Sequence, residues 1–400
     1  MEAYIFILGR SPALSIEELL VVLKPLGHIV EITNDFLVFQ GVIDPVALLS
    51  RLGGTIKIAR VEHTCDQWKD ISFDLCLRSM RSELQGQQVK FNFGISVYGA
   101  DEAYAHLNAL GLQLKKHLRH IGYKVRLVTS RDCQLSSVIV QKNNLLKREI
   151  VVAQGKRCYL GVTEAVQDFD SYSRRDYGRP SRNAQRGMLP PKLAQIMLNL
   201  ASVTTEAKLL DPFCGGGTIV QEALLLGVRS VYGSDKDPTA IAEAEQNISW
   251  LREHFGARRP QLQRASIAEV RRTFPGLCFD VIVTEPYLGP ARLLMKYRLM
   301  RSDFDAALRE VRHLYRELFK VAVDATGPLA RMVVVFPVYN LFNREYPVGN
   351  LEEFESFGWR LVRPAVQQYM PSLDVSPRGL LYYSRPDQVV RREITVWQKR

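Results

Sequence analysis

The stretch Leu209–Thr218, LLDPFCGGGT, limits the possible folds more than any other part of the chain. Leu209 and Leu210 read as the end of a buried strand, Asp211 sits at its carboxyl end, and Gly215, Gly216 and Gly217 lead into a helix starting near Thr218. Consecutive glycines permit a tight turn and let backbone approach a ligand with no Cβ in the way. A strand passing through such a turn into a helix fits a parallel sheet covered by helices, where ligands bind in the crevice at the strand C-termini.

The spacing narrows the ligand class. Beyond Asp211, VYGSDKDP closes a second strand on Asp235, where a carboxylate can hold the hydroxyls of a nucleotide ribose. Asp237 has two readings, a second ligand contact or an N-cap ahead of Pro238. A phosphate loop is disfavoured because no GKS or GKT lysine follows the glycines, and CGGGT does not spell the dinucleotide fingerprint GxGxxG.

From Pro190 and Pro191, which open the amphipathic helix PPKLAQIMLNLA, strand-like and helical patterns alternate. The expected strands are AKLLD, SVYGSD, PQLQRAS, FDVIVTE and ARMVVVFP, and GLLYYSRP with REITVWQK reads as a terminal antiparallel pair. The first 60 residues look like a small α+β module, in which Ser15 and Glu18 have capping-box spacing for a helix. A second α+β unit follows, with the helix NALGLQLKKHLRHIG carrying Leu110, Leu114 and Leu118 on one face. Residues 167–190, polar and Pro/Gly-containing with little periodicity, read as an inter-domain connector.

The net charge of +11 favours a polyanionic partner. Between Lys115 and Arg157 lie eleven basic and two acidic residues, so the excess is concentrated in the second α+β unit. The six cysteines show no CxxC pair and no metal-ligand spacing with the seven histidines, and read as small buried hydrophobes in a reducing compartment, with no metal expected. No signal peptide is read at the N-terminus, and no apolar run approaches the ~20 residues of a membrane span. A soluble, cytoplasmic protein is expected.

DPFCGGGT followed by GSDKDP resembles the S-adenosylmethionine site of class I methyltransferases that act on exocyclic amines, which have a Rossmann-like α/β fold. The resemblance implies that Asp211 and the loop Phe213, Cys214, Gly215, Gly216, Gly217 and Thr218 embrace the methionine part, and that Asp235 holds the ribose. A third acidic position is expected to face the adenine, and Ser266 stands there. Such enzymes carry Asp/Asn-Pro-Pro-Tyr/Phe after the fourth strand, and here the sequence is TEPYLG. An exocyclic amine is a poor nucleophile because its lone pair is delocalised into the ring. An oxygen acceptor and a backbone carbonyl take its hydrogens, prolines stiffen the turn, and the aromatic stacks on the base. Two registers fit: Glu285 as the acceptor with Pro286 as the first proline, or Tyr287 as the aromatic with Thr284 at the acceptor position. The first is preferred, with Glu285, Pro286 and Tyr287 as catalytic residues.

The N-terminal half and SYSRRDYGRPSRNAQRGMLPPKLAQIMLNLA resemble THUMP-domain tRNA methyltransferases of the archaeal and eukaryotic guanine-10-N2 type. That resemblance implies a ferredoxin-like module over 1–60, a THUMP domain over 61–166, a linker over 167–190 and a methyltransferase domain over 191–400. It implies methyl transfer to the N2 amine of a tRNA guanosine, expected to be guanosine 10, with a small activator subunit not excluded. Lys115, Lys116, Arg119, Lys142, Lys147 and Arg148 are expected on the RNA backbone, together with Arg175 and Arg179 in the linker, which have the alternative of locking the domains together. The competing readings are a methyltransferase of another RNA or DNA exocyclic amine, and an RNA-binding protein that has lost catalysis.

Overall fold

Apolar runs rich in Val, Ile, Phe and Tyr form the strands of two mixed sheets, each in its own unit. The computed structural model describes residues 2–80, 90–182, 188–289, 301–341, 344–373, 375–384 and 390–400. One unit comprises Met1–Ser171 with Val366–Leu373, and the other Tyr172–Ala365 with Asp374–Arg400.

The first unit contains β1 (Glu2–Leu8), β2 (Gly27–Ile32), β3 (Phe36–Gly41), β4 (Thr55–Cys65), β5 (Lys90–Tyr98), β6 (Lys124–Val128), β7 (Glu149–Gln154) and β8 (Cys158–Val166). They form one sheet in the order β2-β3-β1-β4-β8-β7-β5-β6. The expected module boundary at residue 60 falls inside β4, which pairs with β1 on one side and β8 on the other. Strands from both expected N-terminal modules therefore share a single sheet.

The first helix spans Pro12–Leu23, so Ser15 and Glu18 do not form its cap. Pro12, with its preset φ, opens the helix instead. Ser15 Oγ donates to Gly54 O (2.8 Å), and Glu18 accepts the Gly53 and Gly54 N–H groups at 2.9 and 2.8 Å. Helix Tyr104–His120 buries Leu107, Leu110, Leu114 and Leu118 as its spacing predicts.

A buried ion pair lies within this sheet. Lys57 Nζ reaches Glu149 Oε1 at 2.5 Å with both side chains inaccessible, and the Ser96 and Thr163 hydroxyls also donate to Glu149 at 2.5 and 2.6 Å. Burial pulls Lys57 toward neutrality, but the charge and hydrogen bond of Glu149 together with the nearby Tyr98 hydroxyl outweigh it, so the ammonium stays protonated.

The second unit contains β9 (Lys208–Asp211), β10 (Ser230–Asp235), β11 (Gln261–Arg264), β12 (Phe279–Thr284), β13 (Thr326–Leu341), β14 (Arg344–Pro347), β15 (Trp359–Val362), β16 (Leu381–Tyr383) and β17 (Val390–Lys399). The order is β11-β10-β9-β12-β13-β17-β15, with β14 beside β13 and β16 beside β17. Strands β9 to β13 run parallel, and β17 enters antiparallel to β13. The chain leaves β9 toward β10 on one side and returns to β12 on the other. The gap between the ends of β9 and β12 is the switch point where open α/β sheets bind ligands.

The expected connector is partly helical, over Phe169–Ser173 and a wide turn at Arg174–Gly178; residues 183–187 lie outside the described residues. Its later part is packed into the second unit, as Arg175 pairs with Glu222 at 2.7 Å and Ser181 N donates to Asn247 Oδ1 at 2.9 Å. Among the described residues no helix is long and apolar enough to cross a membrane.

Removing one partner of a buried pair leaves the other charge uncompensated, at a cost of about 3–5 kcal/mol. Glu149→Ala and Lys57→Met should each lower the urea midpoint on that scale. The double variant Lys57→Met/Glu149→Leu should lose less than the two single losses combined, which a double-mutant cycle of unfolding curves measures.

Candidate active site

The site is built at the switch point. Asp211 closes β9 with only 1% of its surface exposed. Its Oδ1 accepts from Thr284 Oγ1 at 2.7 Å and from Phe213 N at 3.2 Å. Thr284 is the last residue of β12, so one hydroxyl ties the ends of the two strands together. Burial pushes the Asp211 carboxyl up to about 7; the Thr284 and Phe213 hydrogen bonds oppose that shift, and the charges of Asp235 and Glu285 add to it.

Behind Asp211 the glycine turn takes the predicted shape. Gly215 and Gly217 have φ of +50° and +81°, and Gly217 caps helix Thr218–Leu225. A Cβ on Gly215 would meet nothing within 4 Å, so positive φ, rather than crowding, calls for glycine there. Asp235 holds the turn, accepting from Gly215 N at 3.0 Å and from Asp237 N at 2.9 Å. Asn247, which the sequence reading passed over, binds the turn from behind by donating to Gly216 O at 2.9 Å and Ser181 O at 3.0 Å. Asp237 is the N-cap of helix Pro238–Phe255, accepting from Thr239 N at 2.8 Å. Cys214 is buried, which pushes its thiol well above the ordinary value and leaves it unreactive.

Ser266 donates both its backbone N–H and its hydroxyl to Glu269, at 2.9 and 2.8 Å. With its proton committed, the Oγ retains lone pairs and acts as an acceptor.

After β12 the chain enters the turn Glu285–Gly289. Pro286 is buried and Tyr287 stands 57% exposed. Tyr339 of β13 donates its hydroxyl to Leu288 O at 2.7 Å, fixing the turn where the sequence has only one proline. Gly289 has φ +89°, and a Cβ there would lie 2.0 Å from the Tyr339 oxygen, so no other residue fits unaltered. The Glu285 carboxylate is held by Arg392 of β17, with Nε at 2.5 Å from Oε1 and Nη2 at 3.4 Å from Oε2. Arg392 was also missed in the sequence. The available signal was its phase, since it alternates with Val390 and Ile394, where an inward apolar residue is expected.

Both turns open onto one cavity of about 500 Å³, within the usual range of ligand pockets; Asp237, Asn247 and Thr284 do not line it. Asp211, the glycine turn, Asp235, Ser266 and Ile267 lie along it, and so do Glu285, Pro286, Tyr287 and Arg392. Thr218 and Arg179 also reach it, joined by a 2.7 Å hydrogen bond from Arg179 Nη1 to Thr218 Oγ1. Among the described residues, no cluster of His, Cys, Asp or Glu is arranged to hold a metal.

The expected RNA contacts are placed differently. Arg175 and Arg179 are 7% and 5% exposed and bind Glu222 and Thr218, so they are structural ties of the second unit and not free for a phosphate backbone. In the first unit Lys116, Arg119, Lys142 and Lys147 are exposed, while Lys115 and Arg148 are half-buried, Arg148 over the Phe91 ring. These residues do not form one patch. Ile95 faces the helix bearing Lys115, Lys116 and Arg119, whereas its neighbour Gly94 faces Leu135 and Leu145 in the segment bearing Lys142 and Lys147. Successive strand residues point to opposite sides, so the two groups belong to opposite faces of the sheet.

Residues 179–291, inside the second unit, match the family model described as UPF0020: RMKL-like, methyltransferase domain. The second unit carries a methyltransferase domain. The solved structure of TrmN from Thermus thermophilus is similar across 100% of both chains, with a TM-score of 0.55 at 18% identity, a likeness of fold. Two curated relatives share more sequence over shorter stretches. A tRNA (guanine(10)-N2)-dimethyltransferase of Pyrococcus abyssi is 30% identical over 38% of this chain and 44% of its own. A tRNA (guanine(6)-N2)-methyltransferase of Thermus thermophilus is 31% identical over 50% of this chain and 52% of its own. The chain thus spans about half the length of each. The fold of the methyltransferase domain is Rossmann-like, with the sheet order and reversed β17 described above.

Asp211 gives the methyltransferase domain a pH signature. Its carboxyl titrates near 3.9 when unfolded and about 7 when folded. The folded state therefore binds the extra proton between these values, and its stability falls as pH rises toward 7. Asp211→Asn keeps an acceptor for Thr284 without the charge. Its thermal stability in the absence of ligand should match wild type near pH 4 and exceed it by on the order of a few kcal/mol at pH 8.

Proposed function

We propose that this protein transfers a methyl group from S-adenosylmethionine to the exocyclic N2 amine of a tRNA guanosine. The observation that carries the reading is the shared cavity: the glycine turn with Asp235 and the Glu285–Pro286 turn line one space. The tRNA assignment is supported by the names of the two curated relatives and by the net charge of +11.

The residues present fit the cofactor. Five carboxylates (Asp211, Asp235, Glu243, Glu285 and Glu317) line the cavity beside the cationic side chains of Arg179, Lys236 and Arg392, and this mixture of both signs suits a zwitterion bearing an additional sulfonium charge. Asp211 and the Gly215–Gly217 turn would hold the methionine part, Asp235 the ribose, and Ser266 with Ile267 the adenine. When bound, the cofactor supplies an electrophilic methyl group.

The protein's own task is to present the amine. Glu285 and the Pro286 carbonyl accept its two hydrogens, which fixes its plane and restores electron density to the nitrogen. Tyr287 provides a stacking surface for a base lifted out of its helix. No strong base is needed beforehand, and the proton released after transfer goes to Glu285 or to water. In the first unit, Lys116 and Arg119 on one face and Lys142 and Lys147 on the other are candidates for phosphate contacts. The target nucleotide is proposed to be guanosine 10, with position 6 the alternative drawn from the Thermus relative.

Incubation with labelled S-adenosylmethionine and unmodified tRNA, followed by nucleoside digestion, should yield N2-methylguanosine, and mapping should place it at position 10. Label in N6-methyladenosine would overturn the base assignment, and cofactor binding without transfer would indicate an RNA-binding protein. Glu285→Gln preserves shape but loses one acceptor. Its turnover should fall on the order of a hundredfold, the scale of removing one preorganised hydrogen-bond partner, with affinity for S-adenosylhomocysteine nearly unchanged.

A further inference from the structure

We propose that Arg392 reads the target base, so that the Glu285–Arg392 pair accepts guanine by its O6, N1–H and N2–H groups together and rejects adenine. This inference rests on the guanine-N2 reading and assigns its base specificity to a residue outside the turn motif.

Arg392 is on β17 and Glu285 follows β12, with β13 between them. Neighbouring strands lie about 4.8 Å apart, so the two backbones are separated by roughly 10 Å. Glu285 carries one more methylene than the Asp or Asn usual in this motif, extending its carboxylate by about 1.5 Å. That added reach helps it meet the guanidinium at 2.5 Å. The irregular spelling of TEPYLG and the arginine on β17 are thus two halves of one arrangement.

A guanidinium has five N–H donors, and among the described residues Arg392 directs two toward Glu285. It is 8% exposed and lines the cavity, so its other donors lie at a largely desolvated wall. Each Glu285 oxygen takes one contact from Arg392 and keeps a further lone pair. Burial alone would lower the Arg392 pKa, but the adjacent carboxylate raises it above its usual value, so the donor stays charged.

The pair therefore offers a donor beside two acceptors. Guanine offers the complement in order: O6 accepts, then N1–H and N2–H donate. Adenine would set its N6–H2 donor against the guanidinium and its N1 acceptor against the carboxylate. Two repulsive contacts replace three attractive ones, which is how a site built from polar groups excludes a near-isosteric substrate.

The test uses tRNA in which the guanosine methylated by wild type is replaced by 2-aminopurine, which keeps the N2 amine but lacks O6 and N1–H. Wild type should methylate guanine at least roughly tenfold faster, and parity would overturn the proposal whatever any variant does. Arg392→Gln should lower kcat/KM for guanine by roughly ten- to a hundredfold while changing 2-aminopurine transfer much less, so the ratio contracts. Arg392→Lys, which keeps the charge and a donor, should fall in between. An equal loss on both bases would show that Arg392 only positions Glu285, and no loss would show that it plays no part; either result overturns base reading. If wild type makes no N2-methylguanosine at all, the functional reading fails, an outcome separate from these ratios.

Discussion

The hydrogen bond from Thr284 to Asp211 joins two strand ends that are adjacent in space but distant in sequence. Strands β9 and β12 lie side by side because Val281 and Ile282 pair with Leu209 and Leu210. Both chain exits from that seam carry the site, the glycine turn after β9 and the Glu285 turn after β12. A single buried hydroxyl-to-carboxyl contact of 2.7 Å thus sets the position of one half relative to the other. Burial makes the contact consequential, since a carboxyl at 1% exposure has no water to replace a lost donor.

The two units treat buried charge differently. In the first, Glu149 accepts from an ammonium and two hydroxyls within the sheet, with no exposed surface. In the second, Glu285 is neutralised by one arginine, and both side chains border open space. The first arrangement holds a sheet together. The second keeps hydrogen-bonding capacity available at a wall where a ligand can use it.

Much of the second unit was legible because its signals are local. The glycines after Asp211, the acid closing β10 and the prolines before helix Pro191–Leu200 each follow from chain stereochemistry and fell where expected. Asp237 was open between ligand and cap, and the structure shows the cap. What could not be read is what depends on pairing across long separations. Arg392 looks like any exposed arginine until β17 is placed beside β13, and Arg175 and Arg179 looked like connector charges until Glu222 and Thr218 met them. The first unit was harder still. Ser15 and Glu18 mimicked a cap by spacing alone, β2 carries too weak an apolar pattern to announce itself, and the alternation of Gly94 and Ile95 divides a basic run that is continuous in sequence.

The separation between Glu285 and Arg392 also bears on how the site comes into being. The glycine cradle closes through the contact of Gly215 with Asp235, 20 residues apart, whereas the Glu285–Arg392 pair spans 107. Loop-closure entropy alone makes the longer connection dearer by about 1.5 kcal/mol. Because the chain is made from its N-terminus, every residue of the glycine turn and of the Glu285 turn is synthesised before Arg392, the partner that holds the Glu285 carboxylate.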